Sequence, residues 1–137
     1  MMEVQFKTIC LNSLVEQLVS QFQSLALRQG SFVVNNVAAD FYVSTDKNNL
    51  ATVISSLLSS VISGGRDSCI RVSAKRFNNI ILFHLQDSNS AFTKDADRDW
   101  HEVNMLAGKL GGCIIEDEVR KKHATITFSF RSLANAA

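Results

Sequence analysis

The sequence predicts an α+β fold, a two-layer sandwich in which three helices pack on one face of a mixed, mostly antiparallel sheet. Three observations lead there. About seven short segments alternate apolar and polar residues or are rich in β-branched and aromatic side chains. Three longer segments carry apolar residues at helical spacing, each followed by glycine. The two kinds are grouped rather than strictly alternating, in the order β-α-β-β-α-β-β-α-β-β, which argues against a doubly wound parallel sheet.

Glu3-Val4-Gln5-Phe6-Lys7-Thr8-Ile9 alternates with period two and reads as the first strand. Asn12 is suited to cap the helix that follows, where Leu14, Leu18, Phe22 and Leu25 share a face and Gly30 supplies a left-handed stop. Residues 31–37 and 41–43 read as two short strands around Ala38-Ala39-Asp40. Thr45 or Asp46 starts a second helix with a broad apolar face, Leu50, Val53, Ile54, Leu57, Leu58, Val61 and Ile62, ending at Gly64-Gly65. Cys69–Lys75 and Ile80–Gln86 form a hairpin about Phe77-Asn78-Asn79, and the more continuous apolar run of the second makes it a central strand. Trp100, Val103, Leu106, Ala107 and Leu110 mark a third helix closed by Gly111-Gly112, and residues 113–115 and 124–130 finish as two strands.

Composition narrows the function classes. The 137 residues are 46% hydrophobic, include nine Phe, and carry 14 Lys+Arg against 13 Asp+Glu, a net charge of +1. Such a chain can bury a core, so disorder is excluded, and we expect a single domain over residues 1–132 with a flexible tail over 133–137. The near-zero charge excludes a strong electrostatic footprint for nucleic acid or an anionic membrane. The longest uncharged apolar run, Leu50 to Ile62, is too short to span a bilayer and is broken by Thr52 and four serines, so the expected location is the cytoplasm. Cys10, Cys69 and Cys113 lie far apart without metal-ligand spacing and are expected to be small buried hydrophobes. Chain turns rely on Gly, Asn and Asp, since there is no proline.

The order of elements and several strings resemble the ATPase domain of sensor histidine kinases, the GHKL or Bergerat fold. Phe6–Leu14 resembles the family's strand-to-helix opening, Asp46–Ile54 the start of its N-box helix, and Leu110-Gly111-Gly112-Cys113-Ile114 with Thr125–Phe130 its closing turn and last strand. The functional positions depart from the family. The resemblance implies an N box of the form N-L-L-x-N-A-x-K, whose second Asn holds nucleotide-bound Mg²⁺ and whose Lys lies near the phosphates. The aligned stretch here is Ser56-Leu57-Leu58-Ser59-Ser60-Val61-Ile62-Ser63, with Ser at both Asn positions and at the Lys position. A hydroxyl is a weaker oxygen ligand than an amide carbonyl, and Mg²⁺ demands near-ideal octahedral geometry.

The family's D-x-G-x-G motif, whose Asp accepts from the adenine amino group, aligns with Asp87-Ser88-Asn89-Ser90-Ala91. Asp87 persists, while Asn89 and Ala91 put side chains where the family has glycine. The lid and its glycine-rich turn, which would cradle phosphates at a helix N-terminus, reduce to Thr93–Asp99 without glycine. Asp95, Asp97 and Asp99 imitate an EF-hand opening, but Trp100 and Leu106 occupy the positions that need Gly and Glu, which favours a helix cap over calcium. His84, His101 and His123 read as strand, helix and turn residues; the family's phosphoacceptor His belongs to a helical hairpin before this domain, which is expected to lie on another chain or outside this sequence.

The resemblance therefore implies a vestigial nucleotide site at Ser56, Ser60, Asp87, Asn89 and Ala91, with no catalytic residue, metal or cofactor expected. The resulting expectation is a catalytically inactive domain serving as an interaction or phosphotransfer scaffold in bacterial two-component signalling. Its partner would be a response regulator or a kinase or phosphotransferase subunit, and a homodimer is compatible with it. The alternative is a divergent ATP/Mg-binding protein kinase acting in trans, as anti-sigma-type members do, with Asp87 and Ser60 as the retained contacts. Two local readings stay open: the Ser-rich face of the second helix is either a small-ligand groove or space refilled by Ser, and Phe83, Phe92 and Trp100 are either a partner patch or core.

Overall fold

A computed structural model of the chain describes residues 6–64, 66–88, 100–117 and 124–133. Its elements run β1 (Phe6–Cys10), α1 (Leu11–Arg28), β2 (Phe32–Asn35), β3 (Tyr42–Asp46), α2 (Lys47–Gly64), β4 (Cys69–Phe77), β5 (Ile80–Asp87), α3 (His101–Lys109), β6 (Cys113–Asp117) and β7 (Ala124–Arg131), the order the sequence predicts. The strands do not share one sheet. β2-β4-β5-β7-β6 form a five-stranded sheet, whereas β1 and β3 pair separately in an antiparallel ribbon. Among the described strand pairs only β2–β4 is parallel, because the chain passes through the α2 crossover between them.

The period of β5 organises the sheet. Ile81, Phe83, Leu85 and Asp87 are buried toward the helices, while Ile80, Leu82, His84 and Gln86 take the other face, and β5 is the middle strand as its apolar run predicts. Neighbouring strands repeat the alternation in register, with Ala74 opposite Phe83 and Phe83 opposite Phe128. Phe128 stacks on Phe130 at 5.1 Å and meets Phe83 edge-on at 6.4 Å. Against them lies α2, in which Leu50, Val53, Ile54, Leu57, Leu58, Val61 and Ile62 are all wholly buried. Each such side chain contributes roughly 1.5–3 kcal/mol on leaving water. α1 and α3 pack on either side of α2.

Capping differs from expectation at one helix and resolves an ambiguity at another. Asp46 caps α2, its carboxylate accepting from the Asn49 N–H at 3.1 Å. Asn12 does not cap α1. Its side-chain amide instead donates to the Val37 carbonyl at 2.6 Å, and Asn35 donates to the Asn12 carbonyl at 3.2 Å and to Glu16 Oε1 at 3.0 Å. These bonds tie α1 to the β2–β3 connection, a long-range use that local capping preference does not reveal. The ribbon is pinned to the sheet where β7 ends: Leu133 N–H donates to Ser44 O at 2.8 Å and Ser44 N–H donates to Ser132 Oγ at 2.9 Å. Arg76 adds a guanidinium bond to the Tyr42 carbonyl and lies over the Phe41 ring.

The cysteines are not the buried hydrophobes expected. Cys10 and Cys69 are half-buried and Cys113 is exposed, because Cys69 and Cys113 point to the helix-free face and Cys10 sits at the strand-to-helix junction. The Ser13 hydroxyl donates to Cys10 Sγ at 3.4 Å and, with the Ser13 backbone, holds that thiol's pKa below its ordinary value.

Two turns depend on glycine. Gly30, at φ +70°, ends α1, and Gly112 passes so close to β7 that a Cβ would collide with the Ser129 carbonyl and lie 2.9 Å from Phe130 Cα. Gly112→Ala is therefore expected to cost about 2 kcal/mol or more in a urea unfolding experiment, since the obstacle is backbone and cannot rotate away. Gly108→Ala, in α3 with nothing within 4 Å of the new methyl, should instead raise stability by about 0.5 kcal/mol.

His84 supplies a pH-dependent counterpart. Its Nδ1 lies 3.1 Å from Thr127 Oγ1, and burial, then the charge of Lys75, hold its pKa below 6.5. The folded state thus disfavours the charged ring, so the stability this site contributes is present above about pH 6.5 and lost as pH falls through the depressed value. His84→Gln should flatten the decline of the urea midpoint between about pH 7.5 and pH 5 relative to the parent protein.

Candidate functional site

α2 and the end of β5 carry the described part of the site expected from the sequence. Ser56 and Ser60 are one helical turn apart, share a face of α2, and are half-buried beside the fully buried Leu57, Leu58 and Val61. Ser63, at the position where the resembling family has Lys, is exposed. The only charged residue of α2 is Lys47, in its first turn. Ser60 lies thirteen positions further along the helix, roughly 20 Å along the axis. The helix thus offers hydroxyls and no cation at that end.

Asp87 is wholly buried, with its Oδ2 closed off from solvent. Strand parity puts it there: it continues the inward series Ile81, Phe83, Leu85 and lies opposite Ile70 of β4. The strand end is fixed by Ser88 N–H donating to Cys69 O at 3.1 Å and Cys69 N–H donating to Ser88 Oγ at 3.0 Å. A cleft of about 300 Å³ opens at this corner between Cys69, Arg71, Gln86, Asp87 and Ser88. Ser56 and Ser60 do not line it. Asn89 and Ala91, the lid positions 93–99 and His123 lie outside the described residues. Among the described residues no three His, Cys, Asp or Glu side chains are grouped as a metal site.

The aromatic alternatives separate. Phe83 is wholly buried and belongs to the core. Trp100 is half-buried, packs against that core and donates from its indole N–H to Glu116 Oε1 at 2.5 Å, fastening the start of α3 to β6. Phe92 lies outside the described residues. His84 sits mid-strand and His101 on the exposed first turn of α3, as read from the sequence. Sequence reasoning missed the exposed Arg71 and Lys75, which alternation along β4 assigns to the helix-free face. The signal was present, but directed at strand identity rather than at what the outward residues share.

Larger clefts lie elsewhere. One of about 400 Å³ separates the α2 start from the α3 end, between residues such as Asp46, Asn49, Leu110 and Leu133, and one of about 380 Å³ lies between the ribbon and the β4–β5 turn, at Thr8, Tyr42, Arg76 and Asn79. Neither includes a residue of the expected nucleotide site.

No protein-family model matches the sequence, and no curated protein sequence matches it significantly. Solved structures do match. Histidine kinase AdeS of Acinetobacter baumannii superposes with a TM-score of 0.81 at 12% identity, covering 97% of this chain and 70% of that one. The catalytic domain of histidine kinase ThkA gives 0.76 at 13% identity over 93% of this chain and 96% of that domain. The same kinase in complex with response regulator protein TrrA gives 0.75 at 13% identity, covering 96% and 43%. Full-length ShkA in complex with AMPPNP gives 0.79 at 14% identity, covering 97% of this chain and 33% of that one. The three helices, the mixed sheet and the paired ribbon are thus the histidine-kinase-type ATPase fold, and this chain has that fold from β1 to the end of β7.

Proposed function

We propose that this chain is an ATPase-fold domain without nucleotide chemistry that serves as a protein-interaction or phosphotransfer scaffold in two-component signalling, in the cytoplasm, with a response regulator or a kinase or phosphotransferase subunit as partner. The observation that carries the reading is α2. At the positions where the resembling family has two Asn and a Lys, this helix presents Ser56, Ser60 and Ser63, and it bears no charge beyond Lys47. Two short hydroxyls are a poor donor set for Mg²⁺, which dehydrates reluctantly and accepts only near-octahedral oxygen ligands. A triphosphate at this end of α2 would also lack the helix-borne cation that neutralises it. The partner class is supported by a neighbour in fold, ThkA, having been solved with response regulator TrrA.

One observation favours a second reading, a divergent ATP/Mg-dependent protein kinase acting in trans. Asp87, aligned with the family's adenine-contacting Asp, stands fully buried at the end of the central strand and borders the cleft of about 300 Å³ at that corner.

Isothermal titration calorimetry with ATP and ADP, each in excess Mg²⁺ and in EDTA, separates the two. We expect no saturable heat up to millimolar nucleotide. Mg²⁺-dependent saturation at micromolar concentration would overturn the scaffold reading, and Asp87→Asn should then abolish it.

A further inference from the structure

We propose that the helix-free face of the five-stranded sheet is a docking surface for an acidic, amphipathic segment of a partner protein. Register defines the face. On β4 it carries Arg71, Ser73, Lys75 and Phe77, which stand opposite Gln86, His84, Leu82 and Ile80 of β5. β7 adds Thr127, Ser129 and Arg131, and β6 adds Cys113 and Ile115.

Its described charged side chains are cationic. Arg71 and Lys75 are exposed on it, Arg131, also exposed, stands where it meets the cleft at Asp46 and Lys109, and Asp117 shares the register parity of Cys113 and Ile115 at one corner. The other described carboxylates of the sheet point the other way: Asp87 is buried under the helices and Glu116 is engaged by Trp100. Around Arg71 and Lys75 the described side chains of this face thus carry local positive charge that the overall balance of +1 hides.

Its apolar content is high for a solvated face. Phe77, 59% exposed, stands directly opposite half-buried Ile80, with Leu82 two residues along, and Ile115 is 56% exposed on the edge strand. Arg71 and Lys75 are four residues apart on one strand, about 13 Å, and β4 and β7 are separated by two strand spacings, about 10 Å. Cations at those intervals around a Phe-Ile-Leu cluster match a segment that alternates carboxylates with apolar side chains.

Charge selects among occupants. A second copy packed on this face by two-fold symmetry would oppose like cations. A polynucleotide would engage the cations and leave Phe77, Ile80 and Leu82 against water. A bilayer would take up Phe77 and Ile115, which project, but leave Ile80 and Leu82, half-buried at sheet level, largely unengaged. The inference stands apart from the nucleotide question, since none of these residues belongs to the expected nucleotide site.

The test is fluorescence anisotropy with the whole chain and a labelled peptide alternating Glu and Leu. The comparison probes are its Lys-Leu counterpart, phosphatidylcholine–phosphatidylserine vesicles and an oligo-dT strand. We expect saturable binding of the Glu-Leu peptide that weakens with added NaCl, is lost at least about tenfold in the Arg71→Glu/Lys75→Glu double variant, and is unchanged in Arg28→Glu. Arg71→Gln/Lys75→Gln, checked by circular dichroism, serves if charge reversal prevents folding. The proposal is overturned by no saturable binding, by equal affinity for the Lys-Leu peptide, by indifference to the double substitution, or by tighter binding of vesicles or oligo-dT.

Discussion

The burial of α2 against the five-stranded sheet is the constraint on which the rest of the domain depends. From Asn48 to Gly64 the helix carries no charged residue, and seven of its side chains are completely removed from water. A helix this apolar must be covered on more than one side. The Phe83–Phe128–Phe130 cluster covers it from below, and α1 and α3 from the flanks. The three described helices all serve that one task, and among the described residues no helix covers the opposite face of the sheet. The asymmetry that leaves Arg71, Lys75 and Phe77 outward follows from the apolarity of α2.

The same constraint bears on the site. Ser56 and Ser60 lie half-buried and uncharged beside the fully buried Leu57, Leu58 and Val61 of α2. Asp87 is the exception, a carboxylate on the inward face of the central strand among wholly buried aliphatic and aromatic neighbours. Among the described residues it is a fully buried carboxylate at a strand position whose parity otherwise takes apolar side chains.

The ribbon shows a different kind of dependence. β1 and β3 bond to each other and reach the main sheet through a few contacts near the end of β7, chiefly Ser44 with Ser132 and Leu133 and Arg76 with Tyr42. It shields the first turns of α1 and α2, with Ile9, Val43 and Thr45 facing inward. Its separation from the sheet leaves a cleft of about 380 Å³ between the two.

The sequence by itself determined the number, order and kind of the elements, the apolar face of α2, the central place of β5 and the glycine turns, because these follow from local periodicity and backbone preference. The inward placement of Asp87 is implied by the same alternation, since the parity that buries Ile81, Phe83 and Leu85 also buries it. Tertiary structure alone decided that β1 and β3 leave the main sheet, since a strand's pattern states which of its faces is buried and not which edge it joins. It also decided that Asn12 bonds across to Val37 instead of capping its own helix, and that the cysteines reach the surface, for those outcomes depend on residues 25 or more positions away or on which side of a sheet the helices choose. The local cationic patch came from the same source: Arg71 and Lys75 share one face only because strand register lines them up and the helices claim the other side.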